Sequence, residues 1–176
     1  LTVHLLFALS LLGLAQWTAL GHKYGFPEKK AQWSSSSKLA AAFLGILLIQ
    51  ISYGGFTAGL KAGHVSDTWP LMLGKLIPPN LFSSFINILE NPFTIVFIHR
   101  WFAWLGLLAV PYVFWIVKRQ NYPVDIQRGL LWLVGIVVLQ IALGVLTVLS
   151  YVNIVIALIH QANAIVLFGL AVYFIH

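Results

Sequence analysis

Five long apolar stretches separated by polar links set the frame of this chain. They cover residues 1–20, 39–60, 92–117, 129–149 and 153–175. Each is close to the roughly 20 residues that carry a helix across roughly 30 Å of hydrocarbon. The pattern therefore predicts five membrane-spanning helices. Polar residues inside them include Thr2, His4, Ser10, Gln16 and Thr18 in the first, Gln50 and Thr57 in the second, and His99, Arg100 and His160 further on.

The links give direction. Residues 21–38 hold Lys23, Lys29, Lys30 and Lys38, and residues 118–128 hold Lys118, Arg119 and Arg128. The longer link 61–91 holds only Lys61 and Lys75, and the turn near residue 150 holds no basic residue. Basic links stay on the inner side of a membrane, so 61–91 is expected outside, with Trp69 suited to the interface. Within it, Leu81, Phe82, Phe85, Ile86, Ile88 and Leu89 share a helical face, which predicts a short interfacial helix. Asn91 followed by Pro92 predicts the start of the third span.

A repeat ties the spans together. The second contains Gln50-Ile51, Gly54 and Thr57; the fourth contains Gln140-Ile141, Gly144 and Thr147 at the same spacing. The third and fifth share Ile-His-x-x-x-Ala, at Ile98-His99 with Ala103 and at Ile159-His160 with Ala164. The expected fold is all-α: a polytopic membrane protein built on a transmembrane four-helix bundle with an internal two-helix repeat, residues 39–176. Residues 1–20, where Val3-His4 echoes the same element, are expected to be the last helix of a preceding bundle, with 21–38 as an inner-side linker.

Composition narrows the chemistry. The chain is 60% hydrophobic and 8% charged, has no cysteine, and carries a formal net charge of +6. Thiolate metal sites and cysteine nucleophiles are excluded, and the basic residues are placed for topology rather than for nucleic acid. The chain opens inside an apolar run at Leu1 and reads as a piece of a longer membrane protein.

The histidines carry the candidate chemistry. His99 and His160 each lie about 7 residues into spans of the same direction, so both are expected roughly 10 Å below the outer surface. Ionisable groups at that depth mark function. With no cysteine or membrane-depth carboxylate, zinc and di-iron sites are disfavoured, and a heme iron held between His99 and His160 fits best. Arg100 is a candidate for a heme propionate or, equally, a snorkelling anchor. The stripe Gly55, Gly59, Gly63 serves close helix packing or a gap for a ligand.

The ordered set Ala58-Gly59-Leu60-Lys61-Ala62-Gly63, Thr68-Trp69-Pro70-Leu71-Met72, Ile77-Pro78-Pro79, Asn91-Pro92, Phe97-Ile98-His99-Arg100 and Leu158-Ile159-His160-Gln161-Ala162 resembles the heme A synthases. The resemblance spans the chain, from the fourth of that family's eight helices to the end of the eighth. It implies tandem four-helix bundles, and conversion of a heme O methyl to the formyl of heme A for cytochrome oxidase. It implies heme b as cofactor, with His99 and His160 as iron ligands. It makes His4 a ligand to substrate heme iron in the amino-terminal bundle, whose other histidine and catalytic glutamate would lie upstream of Leu1. It further implies a homo-oligomer in the bacterial cell membrane or mitochondrial inner membrane, heme O as substrate, and heme O synthase and cytochrome oxidase assembly factors as partners. Paired cysteines found in some members are absent here. The residues also admit a b-type cytochrome subunit that only transfers electrons, and a transporter or assembly factor without heme.

Overall fold

The computed structural model describes residues 1–27, 35–119 and 123–176. Parts of both basic links, 28–34 and 120–122, lie outside these, including Lys29 and Lys30. The elements are α1 (Thr2–Tyr24), α2 (Ser35–Gly59), α3 (Asn87–Glu90), α4 (Pro92–Arg119), α5 (Val124–Leu149) and α6 (Ile154–Ile175). Four helical stretches, Thr2–Tyr24, Ser37–Gly59, Gln127–Leu149 and Ile154–Ile175, are long and apolar enough to cross a membrane, and α4 adds the apolar stretch Pro92–Leu108. Leu108 and Trp132 are 71% and 73% exposed. Such outward apolar surface on helices that are apolar all round belongs in lipid. The protein is an integral, multi-pass membrane protein.

Four helices form a ring of neighbours: α2 against α4, α4 against α5, α5 against α6, and α6 against α2. The diagonal partners are therefore α2 with α5 and α4 with α6. Leu47, Ile51, Val137, Leu167, Phe168 and Val172 close the inner half of this bundle, joined by Leu9 of α1. The repeat read from the sequence maps onto the ring as two antiparallel pairs, α2/α4 and α5/α6.

Both histidine-bearing helices start on an asparagine cap. Asn91 Oδ1 accepts from the backbone N–H of Phe93 (2.9 Å) and Thr94 (3.3 Å). Asn153 Oδ1 accepts from Val155 (3.0 Å) and Ile156 (3.4 Å). The caps pair N–H groups that have no partner within the helix and fix where each helix begins, hence the depth of its histidine. Asn153→Ala is expected to lower stability by about 0.5–2 kcal/mol, read as a lower Tm in detergent without loss of helix content.

Helix α1 lies outside the ring, on α2 and α6. Gln16 Nε2 donates to the Gly169 carbonyl at 2.8 Å, Gly13 faces the Phe168 ring, and Trp17 meets His176 edge-on at 4.8 Å. These contacts make α1 parallel to α6. Its outer end rests on the glycine stripe: a Cβ on Gly55 would stand 2.9 Å from Thr2 Oγ1, and one on Gly59 3.6 Å from Leu1 Cβ. Gly63 faces Val152 of the α5–α6 turn, where an added Cβ would meet it at 3.0 Å. The stripe thus serves close approach of neighbouring segments.

The outer link departs from the expected helix over 81–89. One helical turn forms at Asn87–Glu90, preceded by turns. The Leu81 carbonyl, which a helix there would need, accepts instead from Thr94 Oγ1 (2.6 Å) and Asn87 Nδ2 (3.3 Å). Phe82, Phe85 and Ile86 remain exposed.

Candidate functional site

The diagonal of the bundle brings His99 of α4 and His160 of α6 together. Their ring centroids are 6.4 Å apart, with planes at 88°. Each imidazole lies against a glycine of the helix paired with its own. A Cβ on Gly54 of α2 would meet His99 Cε1 at 3.1 Å, and one on Gly144 of α5 would meet His160 Cε1 at 3.1 Å. A side chain at either position would fill the space the ring occupies.

A glutamine stands one turn inward from each glycine. Gln50 Nε2 donates to the His99 carbonyl at 2.9 Å and lies 3.2 Å from His99 Nδ1. His160 Nδ1–H donates to the Gln140 carbonyl at 3.1 Å, and Gln140 Nε2 lies 3.3 Å from His160 Nε2. With its proton on Nδ1, His160 leaves Nε2 as an acceptor, which faces the Gln140 amide here and is the nitrogen that could bind a metal in its place. Asn163 Nδ2 donates to Gln140 Oε1 at 2.7 Å and to the Ile136 carbonyl at 3.2 Å.

These residues suit a metal that brings most of its own ligands. Two imidazoles bound to one ion from opposite sides, each through a bond of about 2.0–2.1 Å, have centroids roughly 6 Å apart. The observed separation matches. Among the described residues there is no group of three or more His, Cys, Asp or Glu that could hold an ion by itself. His99 and His160 could each offer one ring nitrogen to a prosthetic group.

Arg100, the next residue on α4, is buried, with 7% exposure. Its Nη2 donates to the Ser66 carbonyl at 2.6 Å and its Nη1 to the Thr68 carbonyl at 3.1 Å. Trp69 stacks on Trp104, one turn further along α4, at 6.0 Å. Met72 is buried against Ala62 and Val96. The outer link therefore runs back down α4 past the level of His99. Irregular backbone at such depth requires internal partners for its carbonyls, and Arg100 supplies two of them. The guanidinium is neither at the surface nor wholly free: Nε alone is buried without a hydrogen-bond partner.

His4 lies apart from this pair. It is exposed on α1, on the side away from α2 and α6 with Val3, Phe7 and Leu11. The register of α1 against α6 places it at the depth of His160, and Thr2 meets Gly55 next to the glycine that holds His99.

Residues 1–172 match the family model described as cytochrome oxidase assembly protein, COX15-CtaA. The chain belongs to that family. Similar curated proteins are called heme A synthase. That of Parvibaculum lavamentivorans is 35% identical over 179 residues, covering 100% of this chain and 50% of the relative. That of Flavobacterium psychrophilum is 34% identical over 181 residues, covering 100% and 53%. That of Bartonella tribocorum is 42% identical over 137 residues, covering 75% and 38%. The chain thus spans about half the length of the curated relatives it matches. No solved structure matches it.

Within this member of the family, the residues singled out from sequence divide into two sets. His99, His160 and Arg100 cluster at the outer half of the bundle, whereas His4 faces outward from it. Sequence reasoning found Gln50 and Gln140 as members of a repeat but not as histidine partners, and it passed over Asn163. The signal for Asn163 was its position, one turn after His160 on the same face.

Proposed function

We propose that this chain is the carboxyl-terminal half of a heme A synthase, in which His99 and His160 hold a heme b by its iron. The observation that carries the reading is the pair of imidazoles, 6.4 Å apart across the bundle diagonal, each seated on a glycine, in a chain that matches heme A synthases throughout. When bound, heme b would be held by His99 and His160 and would supply one-electron redox chemistry, which suits electron transfer.

The chain's own residues hold and shield that centre. Gln50, Gln140 and Asn163 orient the rings. The Arg100-held link covers the outer side of α4, and the inner cluster around Leu47, Val137 and Leu167 keeps water from below. Arg100 Nε and Thr57 Oγ1 are buried without partners, and Arg100 Nε is the donor we assign to a propionate. We assign His4, exposed on α1, to the substrate heme O of an amino-terminal half that would also carry the catalytic glutamate. There the heme O methyl is oxidised to a formyl group.

The test is made in the full-length protein. His4→Ala is expected to leave the heme b content unchanged and to abolish heme A among the extracted hemes. Heme A production at the parental level in that variant would overturn the assignment of His4. A parental, unsubstituted protein that keeps heme b and never forms heme A would favour the electron-carrying cytochrome.

A further inference from the structure

We propose that Gln-x-x-x-Gly, present once in α2 and once in α5, is a histidine-holding element that fixes the orientation of the ring on the neighbouring helix. The inference rests on the reading of His99 and His160 as iron ligands. In an α-helix the carbonyl of residue i lies beside residue i+4. A glycine at i+4 leaves that carbonyl open to a ring arriving from another helix. Gly144 does this for the Gln140 carbonyl, which accepts from His160 Nδ1 at 3.1 Å. Gly54 seats His99 with the same edge, Cε1, at the same 3.1 Å from an added Cβ.

The glutamine side chain adds a second hold, and here the halves differ. Gln140 is clamped by Asn163 through its Oε1, so its amide nitrogen is directed at His160. The matching position on α4 is Phe102, and Gln50 Oε1 is buried with no partner. His160 is therefore held by a two-residue relay, Asn163 through Gln140, and His99 by one residue, Gln50. Asn163 and Gln140 are positioning residues for His160, and Gln50 for His99.

Glycine-to-alanine substitutions test this cleanly, because alanine is the better helix former and a single methyl group moves the ring. Gly135 in α5 and Gly45 in α2 have nothing within 4 Å of an added Cβ and serve as controls. In the full-length protein, Gly144→Ala and Gly54→Ala are expected to lower heme b affinity about 10- to 100-fold, as loss of outer-shell support does. They should also alter the low-spin electron paramagnetic resonance signal, with helix content intact. Gly135→Ala and Gly45→Ala should match the parent in both. Asn163→Leu is expected to change the same signal while leaving α5 unaltered, which a mere packing role would not do. Parental heme affinity and an unchanged signal in Gly144→Ala and Asn163→Leu would overturn the inference. His160→Ala separates the two levels. If it keeps the heme, the ligand reading itself fails; if it loses the heme while Gly144→Ala does not, only the holding element fails.

Discussion

Replacing His99 or His160 with alanine is expected to reduce the b-type heme recovered with the full-length protein at least tenfold. In the proposed site each histidine would supply one of the two protein bonds to the iron. Among the described residues no third metal-ligating side chain joins the pair, and Met72, the one methionine, is buried against Ala62 and Val96. The affinity cost exceeds that of the outer-shell substitutions, about 10- to 100-fold, because a ligand is lost rather than misaligned. Pyridine hemochrome of the purified variants, normalised to protein, is the measurement. The double variant should be no worse than the weaker single one, since the two residues act as a unit.

The second large effect is at Arg100. Arg100→Met keeps much of the apolar stem of the side chain and removes the guanidinium donors. The Ser66 and Thr68 carbonyls then lose their partner at membrane depth. An unsatisfied buried acceptor costs about 1–3 kcal/mol, offset in part because a buried charge goes with the guanidinium. The cheapest response is for residues 66–69 to leave α4, breaking the Trp69–Trp104 stack. This chain has no cysteine of its own, so one placed at buried Ser66 reports that release. It is expected to be protected from a membrane-impermeant maleimide with Arg100 present and to be labelled in Arg100→Met. Equal protection in both would show that apolar contacts alone hold the link.

The sequence carried the spans, the repeat and the paired histidines because each depends on spacing along one helix. Asn91 was legible for the same reason: a cap is a local signal. The bonds between Gln50 and His99 and between Gln140 and His160 were not legible, since periodicity names a face but not what meets it. The glycines show how fine the margin is. Gly54 and Gly55 are adjacent, yet about 100° of helix rotation separates them; one seats His99 and the other receives Thr2 of α1. The outer link was the least readable part. Its apolar residues promised a helix over 81–89, but its path is set by distant hydrogen bonds, from Arg100 to Ser66 and Thr68 and from Thr94 to Leu81. Such long-range captures of backbone carbonyls leave no trace in hydrophobic periodicity.

The most direct test of the central claim is the dithionite-reduced minus oxidised absorption spectrum of the purified full-length protein, with pyridine extraction to identify the heme. The account predicts a low-spin b-type heme whose signal disappears in His99→Ala and in His160→Ala. A folded but colourless protein, or a b-type signal that persists in both variants, would contradict it.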